Sequence, residues 1–136
     1  MIDTEKARKI FDRDRYAKLS GVELVEAGSG FCTARMKVDD RHLNAANVVQ
    51  GGAIFTLADF AFAVASNSHG QLALAINVHI SYLQAVSAGT LYAVASEVDT
   101  PKRLGVYEVI VKDEQERIIA TFNGMVYRKN KKVAGL

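Results

Sequence analysis

The chain lacks tryptophan altogether and has a single cysteine and a single proline. One cysteine, Cys32, cannot form an intrachain disulfide, a usage that fits a reducing compartment. Only three histidines occur, His42, His69 and His79, and none has the spacing of a metal ligand set. No metal and no cofactor are therefore expected. A surplus of one charge is also missing. Seventeen Lys and Arg against 15 Asp and Glu leave a formal charge of +2, too small to imply a nucleic-acid partner. Nor is there an uncharged apolar stretch long enough to suggest a membrane span. The most apolar run, residues 51–65, carries Thr56 and Asp59 and is close to the lower length limit. Residues 1–6 hold no apolar signal core, so the expectation is a cytoplasmic protein.

What is present is a globular composition, 49% hydrophobic and 24% charged. The length suits one domain over residues 1–136. Residues 4–19 predict one amphipathic helix, with Ala7, Ile10, Phe11 and Ala17 on one face and Gly21 at its end. Strands are predicted at 22–27 and 30–38, where Cys32, Ala34, Met36 and Val38 alternate with polar residues. A polar, irregular stretch over 39–50 leads into a long helix from Gly51 to about Ser68, with Gly70 placed to end it. Four further strands are predicted at 72–84, 90–99, 104–112 and 117–128, with turns at Pro101 and at 113–116. Residues 129–136 read as a basic, then small-residue tail that frays. Helices segregated from a run of successive strands indicate an α+β fold, with an antiparallel sheet wrapped around the long helix. That helix is apolar on nearly every side, more than one sheet can cover. A partner chain is expected to cover the rest.

The only charge in the run Gly51–Ala65 is Asp59. A carboxylate placed there costs several kcal/mol unless it is paired or used. Asp59 is either a nucleophile or general base, or a residue held by a structural hydrogen bond or salt bridge. Gly51 and Gly52, at the helix start, either offer free backbone N–H groups to a carbonyl oxygen or simply allow close packing. Asn44, in the loop before them, either holds a water or substrate oxygen or shapes a turn.

The stretch His42-Leu43-Asn44, followed by Gln50-Gly51-Gly52-Ala53-Ile54-Phe55-Thr56-Leu57-Ala58-Asp59, resembles the signature of hotdog-fold acyl-CoA thioesterases. The nearest group is the phenylacetyl-CoA thioesterase-like (PaaI-like) family. The resemblance continues through Asn67-Ser68-His69-Gly70 and Ile80-Ser81-Tyr82-Leu83 into the last strands. It implies a hotdog fold that hydrolyses a small or medium acyl-CoA, possibly an aromatic one, to the free acid and CoA. It further implies that Asp59 acts as nucleophile or as base for water, that the Gly51 N–H polarises the thioester carbonyl, and that Asn44 positions the water or the carbonyl. Homodimers, often paired into tetramers, are implied as well. Gln50 departs from the histidine usual at that place, and glutamine bonds hydrogen but does not titrate in this range. Gln50, Gly52, Phe55 and Asn77 are the expected substrate-binding residues. For Phe55 the sequence does not separate acyl pocket from core, and for Asn77 it does not separate site from plain strand.

Helix geometry adds an independent constraint. Gly51 and Asp59 are eight residues apart, roughly 12 Å along a helix axis. A carbonyl at the helix start is out of reach of Asp59 of the same helix. Two such helices packed antiparallel would bring Asp59 of one chain to Gly51 of the other, giving two equivalent sites per dimer at the subunit interface. The rival readings are a non-catalytic acyl-CoA-binding protein and a hotdog hydratase or dehydratase. The latter is disfavoured because no histidine adjoins Asp59 in the motif. Arg128, Lys129, Lys131 and Lys132 either meet CoA phosphates or form a solvated tail.

Overall fold

The computed structural model describes residues 2–136. Helix α1 (Thr4–Phe11) starts where the Asp3 carboxylate accepts the Lys6 N–H. The amphipathic segment then breaks in two, against the expectation of one helix. Arg13 Nε donates to the Ile10 carbonyl at the end of the first piece. Asp14 then turns from helix interior to N-cap, accepting the Ala17 N–H to start α2 (Arg15–Leu19). Gly21, with φ 78°, ends it as anticipated.

Six strands follow: β1 (Val22–Gly28), β2 (Phe31–Lys37), β3 (Gln71–Tyr82), β4 (Thr90–Asp99), β5 (Leu104–Lys112) and β6 (Ile118–Lys132). They form one antiparallel sheet in the order β1-β2-β4-β5-β6-β3. A 3-10 turn (Asp40–His42) precedes the long helix α3 (Gly51–Asn67). The sheet curls around α3, whose Leu57, Ala61, Phe62 and Val64 are buried against it. Gly124 of β6 lies directly under Phe62, where a Cβ would fall 2.6 Å from the ring, so only glycine lets the helix settle this close.

The tail is not frayed. Strand β6 runs on to Lys132, the Val133 N–H donates to the Gly70 carbonyl, and Val133 is buried. Arg13 Nη2 holds the Ala134 carbonyl. Arg128 does not belong to a solvated stretch either. It is buried and donates to the Leu104 carbonyl.

Two surfaces of this architecture are left unmatched. One sheet edge, β1, is closed by α1, through Arg8 Nη2 to the Val25 carbonyl and Thr4 Oγ1 with Ala27. The other edge, β3, is open and exposes Leu74 and Ile76. On α3, the residues left short of burial include Gly52, Thr56, Asp59 and Ala63, spaced three or four apart on one stripe.

Candidate active site

At the start of α3, Gln50 is the N-cap in an extended conformation, φ −63° and ψ 140°, and its side chain makes no capping bond. Its backbone carbonyl accepts from Ala53 and Ile54. Among the described residues the Gly51 and Gly52 N–H groups have no acceptor. They are the free donors that a helix start leaves behind, at the positive end of its dipole. Both glycines are also packed. A Cβ on Gly51 would fall 3.0 Å from the Tyr82 ring, and one on Gly52 would fall 2.6 Å from Gln50 Oε1. The two readings of the glycines are therefore compatible: close approach from the side, open N–H groups at the end. Tyr82, at the end of β3, donates its hydroxyl to the Gly51 carbonyl at 2.9 Å.

Asp59 lies two turns further along α3, partly buried. Among the described residues its carboxylate has no hydrogen bond and no ion pair, so no group of its own chain pairs it. Burial first, and then the nearby Asp14 carboxylate, push its pKa above the ordinary aspartate value. Asp14 reaches this neighbourhood because the chain breaks before α2. Nothing in the sequence marked it as a neighbour of Asp59.

The Asn44 side-chain oxygen accepts from Ala46 and Val48, so it shapes its own loop. Its amide NH2 makes no hydrogen bond among the described residues. Phe55 is half-buried, its ring centroid 5.6 Å from that of Phe122. Asn77 is not brought to this group. It pairs with Met125 in the register that sends Ile80 and Phe122 toward α3, so its side chain leaves the opposite face of the sheet. A groove of about 270 Å³ borders the helix start, lined among others by Tyr16, Leu19, Gln50, Gly52, Ala53 and Thr56.

The remaining reactive side chains have other work. His42 is buried, with Nδ1 accepting the Asp39 N–H and Nε2 donating to the Ser20 carbonyl at 2.6 Å, so it staples α2 to the loop before α3. His69 pairs with Glu97, which also accepts the Tyr107 hydroxyl. Burial pushes the Cys32 thiol up to about 12, which keeps it protonated and unreactive. Among the described residues no cluster of three His, Cys, Asp or Glu side chains is arranged to hold a metal. Among the described residues no helix is long and apolar enough to cross a membrane.

A curled antiparallel sheet around one long helix defines a hotdog protein, with free N–H groups at the helix start and an unpaired acid two turns on. Comparison with known proteins agrees. Residues 46–120 match the family model described as Thioesterase superfamily. A protein of Archaeoglobus fulgidus that carries an esterase name is 44% identical, over 89% of this chain and 79% of its own. Acyl-coenzyme A thioesterase PaaI of Escherichia coli is 33% identical, over 96% of this chain and 94% of its own. The solved structure of E. coli PaaI superposes with a TM-score of 0.88, covering 95% of this chain and 97% of that one, at 31% identity. The structure of smu.793 from Streptococcus mutans, bound to acetyl CoA, superposes with a TM-score of 0.78 at 25% identity, over 82% of this chain and 90% of that one. The chain belongs to the thioesterase superfamily, in its PaaI-like group, and is a thioester hydrolase.

Proposed function

We propose that this protein hydrolyses a small or medium acyl-CoA thioester to the free acid and CoA, at sites shared between two copies of the chain. The observation that carries the reading is Asp59: an unpaired, partly buried carboxylate on the one stripe of α3 that the sheet leaves uncovered. The Gly51 N–H takes the thioester oxygen and stabilises it as charge builds there. Asp59 either attacks the carbonyl carbon itself or draws a proton from the water that does. In the first route the CoA thiolate leaves a mixed anhydride on Asp59, which water then hydrolyses to free the acid and restore the carboxylate; in the second, water adds to the carbonyl carbon, its proton goes to Asp59, and the carbon–sulfur bond breaks; in both the CoA thiolate gains a proton. The free amide NH2 of Asn44 holds the water or the carbonyl. Gln50, Gly52 and Phe55 border the acyl group. Asn77 is assigned to substrate only through the partner chain, since its own chain turns it away from Asp59.

Support for two chains comes from distance and from the unmatched surfaces. Gly51 and Asp59 sit on one unbroken helix, roughly 12 Å apart along its axis. The open β3 edge and the uncovered α3 stripe both suit a second copy across a two-fold axis. Acyl-CoA as substrate is supported by the E. coli relative's name and by the acetyl CoA bound to the S. mutans neighbour.

A thiol-release assay over acetyl-, hexanoyl-, benzoyl- and phenylacetyl-CoA tests the substrate class. Turnover of one or more is expected, and silence on every one contradicts the reading. The pH profile tests Asp59. Its raised pKa places the acid limb of kcat/KM above the usual aspartate range, because activity needs the ionised form and is lost as pH falls through that pKa. Asp14→Asn removes a like charge, so the limb is expected to move to lower pH. An unmoved limb would mean that another group titrates.

A further inference from the structure

We propose that Tyr82 is a positioning residue for this hydrolysis, tethering the Gly51–Gly52 amide so that the start of α3 presents its free N–H groups in one fixed geometry. The inference rests on the reading of Gly51 as the carbonyl's donor. Three observations lead to it.

The first is a missing restraint. Two successive glycines open α3, the residue type with the most backbone freedom to lose. The N-cap is Gln50, which makes no capping bond, so the usual Ser, Thr, Asp or Asn clamp is absent. A donor that must meet a developing charge has to be held before the charge appears. Something else must therefore hold this turn.

The second is the tether itself. The Tyr82 hydroxyl donates to the Gly51 carbonyl at 2.9 Å across 31 residues of sequence. Tyr82 is itself anchored. It closes β3 opposite Ala120, and the next residue, Leu83, donates its N–H to the Ile119 carbonyl. The hydroxyl thus ties the helix start to the sheet. The Gly51 carbonyl and the Gly52 N–H belong to one amide, so the bond polarises the Gly52 N–H, and by holding that amide it fixes the backbone of Gly51 and the direction of the Gly51 N–H.

The third is the ring. A Cβ on Gly51 would meet Tyr82 Cζ at 3.0 Å and Oη at 3.1 Å. The ring lies flush on the glycine and walls one side of the helix start, yet remains 49% exposed. Tyr82 is thus a reason for glycine at 51 and stands beside the site without occupying it.

The test is Tyr82→Phe, which keeps the ring and removes only the hydroxyl. On the acyl-CoA turned over best by the wild type, kcat is expected to fall about fivefold, the scale of one lost hydrogen bond, with KM held within about twofold. The Gly52 amide proton resonance is expected to move upfield, as for a less polarised N–H. A purely structural tyrosine would lower the melting temperature without that split. An unchanged kcat, or a rise in KM alone, overturns the proposal. If Gly51→Pro and Asp59→Asn lose activity while Tyr82→Phe does not, the tether fails and the site stands. If Asp59→Asn keeps wild-type activity, the site reading fails and the tether with it.

Discussion

Replacing Asp59 with asparagine is expected to cut turnover by roughly 10²–10⁴-fold, the range a positioned general base contributes, and to make the protein more stable at neutral pH. The two outcomes share one cause. Asparagine keeps the size and shape of the side chain but neither attacks a thioester nor takes a proton. Asp59 has no hydrogen-bond or ion-pair partner among the described residues, so no contact is lost with the charge. Its pKa is raised by burial and by Asp14. A folded-state pKa above the unfolded one means that the folded chain binds the proton more tightly. Stability therefore falls as pH rises from the ordinary aspartate value through the raised one, and the whole cost is present above it. Asp59→Asn removes that cost, so its advantage in melting temperature is full above the raised pKa and fades as pH falls toward the ordinary aspartate value, about 4. Thermal melts across that range, beside thiol-release rates, check both halves. A less stable variant would mean that a partner holds Asp59. Undiminished turnover would remove Asp59 from the chemistry.

Gly51→Pro is expected to lower kcat by roughly 10²–10³-fold, as removal of one oxyanion donor does, with the melting temperature near that of the wild type. Proline suits this position. It is the first residue of α3, where the N–H has no helical acceptor and the fixed φ is already helical. The preceding residue, Gln50, has φ −63° and ψ 140°, within the region a proline demands before it. The Tyr82 ring must yield by a few tenths of an ångström, and at 49% exposure it has room to do so. The substitution therefore deletes the donor and, by shifting the Tyr82 ring, slackens its bond to the Gly51 carbonyl, which Tyr82→Phe measures separately. Gly51→Ala retains the N–H, and a smaller loss is expected from it. Equal losses from alanine and proline would assign Gly51 to packing alone.

Much of this molecule was legible in the sequence. Gly51 and Gly70 mark the ends of the region that holds α3, and the alternation through Cys32, Ala34 and Met36 marks β2 with its buried face. The break before α2 was not legible. Asp12-Arg13-Asp14 continues a helical pattern until Asp14 is seen to bond the Ala17 N–H. The far end of the last strand was not legible, because four exposed residues, 129–132, separate the buried Arg128 and Val133, whose burial depends on Leu104 and Gly70 far away in sequence. In the site, the motif from Gln50 to Asp59 singled out the acid and the helix start. It left open whether Asp59 is paired and why residue 51 is glycine. Those answers lie in contacts across long separations, Asp14 near Asp59 and Tyr82 on Gly51. Asn77 shows the converse. Its proximity along the sequence suggested the site, and strand register sends it to the other face.

The central claim is that one catalytic unit is built from two chains, Gly51 of one and Asp59 of the other. Asp59→Asn and Gly51→Pro each inactivate both sites of their own dimer. In a dimer with one chain of each kind, one site combines an intact Gly51 with an intact Asp59, and the other combines the two defects. The decisive measurement is the turnover of that mixed dimer, co-expressed with two different tags and purified through both. The account predicts about half the wild-type rate from two nearly inactive parents, because one of two symmetric sites is restored. A mixed dimer no more active than its parents would contradict it and would place the working groups within a single chain.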